Sequence, residues 1–436
     1  MYTYSFEDIK NMSELPPGPH HDRLIFQEWN WGLDALKKTT TPKTVGATYR
    51  TDTGATLLWI KILVDSNKTI PLHFRQTKTN TVIIDWGDGT TSQNISGTGD
   101  MHIEHTYSQL GEYIISIDTE DGSDYLLGNP STSTGVFGVR WLDPNYPNAT
   151  YVSPANATLY KVYYGNHVST TSPRCYDYYP QLRLITLPDT LSSISGVSFF
   201  NNKLLKACVL PKNISIAPSG NFSGCNNLEM VSFPETLTTL AQSMFDYCYR
   251  LKYFHLPDTL TAIPPYIFKM CTGIEKINIP KGVTSMGHHC ILGLRIEELK
   301  LPEGLVTVGD NVFQDLIVDK IELPDTVVSL GGGIFNGCYA TDIKLSESLT
   351  ALPASGFTHC RSLSRMIVPA SVKKLHNDVF YNCANLKEVY FTKHTSVPSL
   401  GNTDAFYGVA PNCKIYVPKA LESEWKAATN WSAYAD

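Results

Sequence analysis

One interval governs this sequence. From Leu187 onward a large apolar residue returns every 22 or 23 residues: Leu187, Leu210, Phe233, Leu256, Ile279, Leu301, Leu323, Leu345, Val368 and Phe391, then Val417 after a 26-residue step. Proline follows most of them; Ser346 and Thr392 take its place in two units. Twelve residues into the units sit Phe199, Phe222, Phe245, Phe268, Ile291, Phe313, Phe335, Phe357 and Phe380. Fifteen residues in sit Cys225, Cys248, Cys271, Cys338, Cys360 and Cys383. A unit this short cannot bury its own apolar side, so successive units must stack and bury it for one another.

The local chemistry of the unit agrees. Short strands such as KYFHL and EKINI run into Pro257 and Pro280, and proline there ends the pairing and turns the chain. The cysteines fall one per unit without any CxxC pair, which reads as small buried side chains rather than a disulfide framework or zinc site. An earlier unit begins near Tyr164, with Tyr176 and Tyr179 in the Phe and Cys columns.

A period of 20–29 residues with leucine at fixed places marks a leucine-rich solenoid. The wording LPDTLTAIPPYIFKMC and VPASVKKLHNDVFYNCANLKEVY resembles the BspA-like, or Treponema pallidum-type, leucine-rich repeat. The tail IYVPKALESEWKAATNWSAYAD resembles that family's ending, where a short helix caps the stack; here it would run from about Ala420 to Ala427, anchored by Leu421, Trp425 and Trp431. The resemblance implies a mainly β chain: a solenoid of about eleven units over residues 159–416 and a cap over 417–436. It also implies a scaffold for adhesion and recognition.

Residues 57–127 read as alternating strands. Within them DWGDGT (Asp85 to Thr90), HTY (His105 to Tyr107) and GEYIISID (Gly111 to Asp118) resemble the PKD-like immunoglobulin-type sandwich. Asp85, Asp88 and His105 could form a metal or acid–base cluster, but a turn aspartate and a strand-edge histidine are the simpler reading. Residues 128–158 form a Ser-, Thr-, Pro- and Asn-rich connector. Residues 1–56, with a short helix expected from about Arg23 to Lys37, hold too few apolar residues to fold alone. They read as a docking arm with Trp29 and Trp31 as its candidate contacts.

The last strand of each unit presents alternate residues outward. From Lys276 to Glu388 one such column alternates in charge (Lys276, Glu298, Lys320, Asp342, Arg365, Glu388), which predicts a self-neutralised face. Its less charged parts supply the candidate ligand-binding residues: Met230, Tyr253, His255, Tyr390, and Tyr178 in the Tyr-rich first unit. Those first-unit tyrosines read first as the cap that joins the sandwich to the solenoid, and only then as ligand-binding residues.

Catalytic signatures are missing, no cofactor is implied, and the adjacent His288, His289 and Cys290 cannot all face one metal. With 35 basic against 41 acidic residues, nothing favours nucleic acid. The first residues hold no apolar run of a secretory signal, and no window suits membrane insertion. Adhesion-type modules without a leader lead to a first expectation of a bacteriophage virion component, a tail, baseplate or head fibre. It would dock on other virion proteins or copies of itself through residues 1–56 and present the solenoid to a host-surface glycan or protein. The alternative is a bacterial cell-surface adhesin; a third reading, a glycan-processing enzyme, rests on a hidden carboxylate pair.

Overall fold

The computed structural model describes residues 24–29, 47–51, 55–63, 65, 67–121, 125–127, 157–163, 181–187, 190–191, 199–214 and 222–435. The chain divides into two units, one of residues 1–214 with 227–232, the other of residues 215–226 with 233–436.

In the first unit, β1 (Leu24–Trp29) pairs antiparallel with β2 (Ala47–Thr51). This corrects the first part of the helix expected over Arg23 to Lys37, whose residues 30–37 lie outside the described residues: LIFQEW carries branched and aromatic side chains that favour a pleated strand. Trp29 ends β1 opposite Ala47, whereas Trp31 and Tyr178 lie outside the described residues. The other strands are β3 (Thr56–Ile62), β4 (Thr69–Asp85), β5 (Gln93–Thr106), β6 (Gly111–Thr119), β7 (Tyr125–Leu127), β8 (Ala157–Tyr163), β9 (Leu184–Thr186), β10 (Ala207–Val209) and β11 (Met230–Ser232). They form one sheet in the order β11-β10-β9-β8-β3-β6-β4-β5, with β7 beside β4. Alternation along β4 buries Ile70, Leu72, Phe74, Val82 and Ile84 on one face. The joint is β8, antiparallel to β3 and parallel to β9, and it spans the boundary expected between connector and solenoid.

The three N-terminal motifs close into a single knot. Trp86 is fully buried, its indole N–H donates to Gln93 Oε1 at 3.1 Å, and its carbonyl accepts from the Tyr107 hydroxyl at 3.0 Å. His105 stacks on Trp86 with centroids 4.6 Å apart and meets Asp88 Oδ2 at 2.7 Å through Nε2. The other Asp88 oxygen accepts from the Thr90 amide and hydroxyl, and Asp85 accepts from the Gly87 amide. Gly87 is required twice over, for its φ of 74° and because a Cβ would sit 2.3 Å from the Ile114 carbonyl oxygen. Burial opposes the charge on Asp88, but its bonds to Thr90 and His105 outweigh that and hold the carboxyl below its ordinary range. These residues are therefore spent on the turn, as the simpler reading expected.

In the second unit the columns read from the sequence become stacks. Phe222, Phe245 and Phe268 follow one another with centroids 5.6 and 6.0 Å apart. After the Ile291 interruption, Phe313, Phe335, Phe357, Phe380 and Phe406 continue at 5.3, 4.9, 5.2 and 5.2 Å. The cysteines do more than fill space. The thiols of Cys248, Cys271, Cys360 and Cys383 donate to the carbonyls of Phe222, Phe245, Phe335 and Phe357 in the preceding repeat, at 2.9–3.1 Å. Burial pushes the Cys248, Cys271 and Cys360 thiols up, and the buried Cys338 thiol reaches about 11.

At the C-terminus the expected helix is a 3-10 turn at Lys419–Leu421 followed by an α-helix at Glu422–Ala427. Trp425 and Trp431 pack on Phe391 at 5.2 and 5.4 Å, and the Trp431 indole donates to the Pro398 carbonyl at 2.7 Å. Leu421 stays partly exposed, so the two tryptophans close the apolar column.

Three measurements test this account. Phe335→Ala removes a ring stacked on both sides and should cost about 3–5 kcal/mol, read by urea unfolding. In a Cys175→Ser chain, a thiol reagent should reach at most the half-exposed Cys413 until urea unfolds the stack. The Asp88 carboxyl is depressed on folding, so its contribution is full above the unfolded carboxylate range and is lost as pH falls through the folded value. Asp88→Asn should therefore flatten the acid limb of a stability–pH profile of the first unit, monitored by Trp86 fluorescence.

Candidate functional site

The second unit carries two sets of short parallel strands, because each repeat contributes one strand to either side. One set comprises Ala262–Ile263, Ser285–Met286, Thr307–Val308 and Ser329–Leu330, then Ala351–Leu352, Lys374–Leu375 and Ser399–Leu400. The other, which holds the alternating column, pairs Ile277–Asn278 with Leu299–Lys300 and Lys320–Glu322 with Asp342–Lys344. It ends in the three-stranded sheet Arg365–Ile367, Glu388–Tyr390 and Lys414–Tyr416. In the strands centred on Ile321, Ile343, Met366 and Val389 the middle side chain is buried and its neighbours point outward.

The charges neutralise one another, but not simply across strands. Lys320 reaches Glu322 of its own strand at 2.6 Å and Asp342 of the next at 3.9 Å. Lys300 takes Glu298 at 3.3 Å, and Lys276 takes Glu297 at 3.3 Å. The two outward columns carry opposite signs at Glu298/Lys300, Lys320/Glu322 and Asp342/Lys344, so a lysine there finds an anion two residues along as readily as one across. Pairs this exposed add little stability. They also leave little unpaired charge for a ligand.

Beyond Asp342 the face changes character. The Arg365 guanidinium lies over the Tyr390 ring at 4.6 Å rather than facing an anion. Tyr390 stacks on Tyr416 with centroids 4.5 Å apart and planes inclined by 7°. The Tyr416 hydroxyl donates to Glu388 at 3.4 Å, and Ile367, in register with both tyrosines, is 52% exposed. Arg365, Ile367, Glu388, Tyr390 and Tyr416 thus form a flat patch of two parallel rings, one aliphatic side chain and two opposite charges. Tyr390 is the predicted candidate here. Tyr416 escapes a strict period because the final step is three residues longer, and the signal that finds it is the shared strand wording, EVY and KIY.

The other candidates are placed without being gathered. Met230 is half-exposed on β11 of the first unit. In the second unit Tyr253 is half-buried with Lys252 Nζ 5.8 Å from its ring centroid, and His255 is exposed. Among the described residues no group of three His, Cys, Asp or Glu side chains could hold a metal ion. No helix among them is long and apolar enough to cross a membrane.

Comparison with known proteins matches the site-bearing stretch. The BspA type leucine rich repeat region matches in six copies, over residues 155–275, 196–317 and 307–423. Among solved structures, the chain is similar to a leucine rich cell surface protein from Faecalibacterium prausnitzii A2-165, at 22% identity over 71% of this chain and 94% of that one, with a TM-score of 0.38. A leucine-rich repeat protein from Bacteroides ovatus ATCC 8483 is 18% identical over 64% and 95%, with a TM-score of 0.40. The pneumococcal vaccine antigen PcpA is 16% identical over 70% and 92%, with a TM-score of 0.36. No curated protein matches the sequence. The repeats run through well over half of the chain, and with their Phe, Cys and Pro columns in place this protein belongs to the BspA type leucine rich repeat family.

Proposed function

We propose that the protein is a non-enzymatic recognition protein displayed at a bacterial surface, binding its target through the strand face around Tyr390 and Tyr416. The observation that carries this reading is that pair: two parallel rings with an arginine over one of them and an exposed isoleucine in register, directly beyond a stretch in which Lys276, Lys300 and Lys320 are each paired with an acid. Tyrosine and arginine supply large contact area at low ordering cost and are the side chains that dominate binding energy in recognition surfaces. A rigid strand face holds them in place without a ligand, which lowers the entropic cost of binding.

Membership of the family and the use of Asp85, Asp88 and His105 in a turn both favour binding over catalysis. The virion reading has lost ground to its alternative: nothing in the comparisons points to a phage, and the F. prausnitzii protein is itself described as a cell surface protein. The PKD-like character of residues 57–127 and the docking role of residues 1–56, with Trp29 and Trp31, remain part of the proposal. They would hold the solenoid away from its point of attachment.

Two measurements test it. Protease shaving of intact producing cells should release solenoid peptides; recovery in a sedimenting phage particle instead would return the virion reading. The labelled full chain should bind epithelial cells saturably, and Tyr390→Ala with Tyr416→Ala should weaken that binding about tenfold or more. Periodate treatment of the cells abolishes it if the target is a glycan, protease treatment if it is a protein. Undiminished binding by the double variant would reject the strand face as the site.

A further inference from the structure

The turn side of the second unit carries exposed rings that the strand face does not use. Two columns of the repeat, ten and fourteen residues in, have left-handed backbone. Most of these positions are filled as that conformation asks: Asn311, Gly333, Ser355 and Asp378 in the first column, Gly293, Asp315, Gly337 and Asn382 in the second. Two successive repeats break the pattern with Tyr247 (φ 60°), Tyr266 (φ 58°) and Met270 (φ 59°), while His289 (φ 55°) and His359 are of a type enriched there with asparagine and aspartate. A bulky side chain there is strained, and strain persists where the side chain serves something other than the fold.

Burial does not repay that strain at Tyr247, which is 37% exposed, and its neighbour Tyr249 is 41% exposed. The two rings meet edge to face with centroids 6.1 Å apart. Lys269 Nζ lies 5.3 Å from the Tyr247 centroid and 5.6 Å from that of Tyr266, which in turn stacks on His289 at 5.0 Å. Lys269, Tyr266 and His289 therefore buttress Tyr247 from the next two repeats and leave the Tyr247–Tyr249 pair facing outward. Between residues 222 and 293 these are the only exposed large hydrophobic side chains among the described residues. Two exposed rings beside one ammonium offer flat apolar faces and a hydrogen-bond donor, the combination that suits the C–H face and hydroxyls of a sugar.

We propose that Tyr247 and Tyr249, flanked by Lys269, form a glycan-binding platform on the turn side, separate from the strand face. The apolar C–H face of a hexose would stack on the rings, and the Lys269 ammonium would donate to sugar oxygens. The test is affinity electrophoresis of the full chain through gels containing yeast mannan, arabinogalactan, mixed-linkage β-glucan or polygalacturonate. At least one polymer should retard the protein, and Tyr247→Asn with Tyr249→Ala should weaken that retardation about tenfold. Tyr247→Asn alone should leave Tm unchanged or higher, because asparagine accepts the left-handed backbone that tyrosine resists. Tyr390→Ala with Tyr416→Ala should leave retardation intact, which separates this platform from the strand-face reading. The proposal is overturned by retardation in none of the gels, by retardation that survives the platform substitutions, by retardation lost with the strand-face pair, or by a lower Tm for Tyr247→Asn.

Discussion

The carbonyl oxygen of the repeated phenylalanine is where one turn of the stack is tied to the next. That of Phe245 accepts the Cys248 amide of its own repeat and the Cys271 thiol of the following one, both at 3.0 Å. Phe357 does the same with Cys360 and Cys383. The ring stacks on its neighbours while the carbonyl behind it is doubly satisfied, so apolar burial and polar satisfaction are met by one residue. Once that spacing is set, the outer strands must lie in register. Any side chain repeated at one position then becomes a row on the surface.

Rows explain why the two faces differ. On the strand face, rows of opposite charge neutralise one another and rows of like rings stack, as Tyr390 and Tyr416 do. On the turn side, Tyr381 and Tyr407 stack at 5.2 Å in the same way. Departures from a row are therefore more informative than the rows. Arg365 turning to a ring, and tyrosines standing where glycine, asparagine and aspartate belong, are such departures.

The solenoid and its Phe and Cys columns were legible in the sequence because each position is written many times over, and repetition averages out local ambiguity. What was written once was harder. Phe406 and Tyr416 follow a lengthened repeat, so counting by a fixed step passes them by. The strand Leu24–Trp29 has no periodic partner nearby, and its pairing with residues 47–51 is not a local property of either segment. Tyr390 could be placed on the outer face from alternation alone. Its arginine neighbour and its stacking partner depended on register between strands, and the Tyr247 platform on backbone conformation that composition does not announce. The role of each cysteine as donor was hidden too, since small size and hydrogen bonding leave the same letter in the sequence.

The strand β8 has a consequence for how the molecule comes apart. Stacked repeats normally fray from their ends, since a terminal unit has a neighbour on one side only. Here the strands β9, β10 and β11 are continued through β8 into β3 and the antiparallel sheet, so that side of the first repeats is not an end at all. Loosening them means breaking ladders on both sides of β8, and the antiparallel sheet can lend them its own cooperativity. A tug on the N-terminal strands would be borne in part by the parallel ladder behind them.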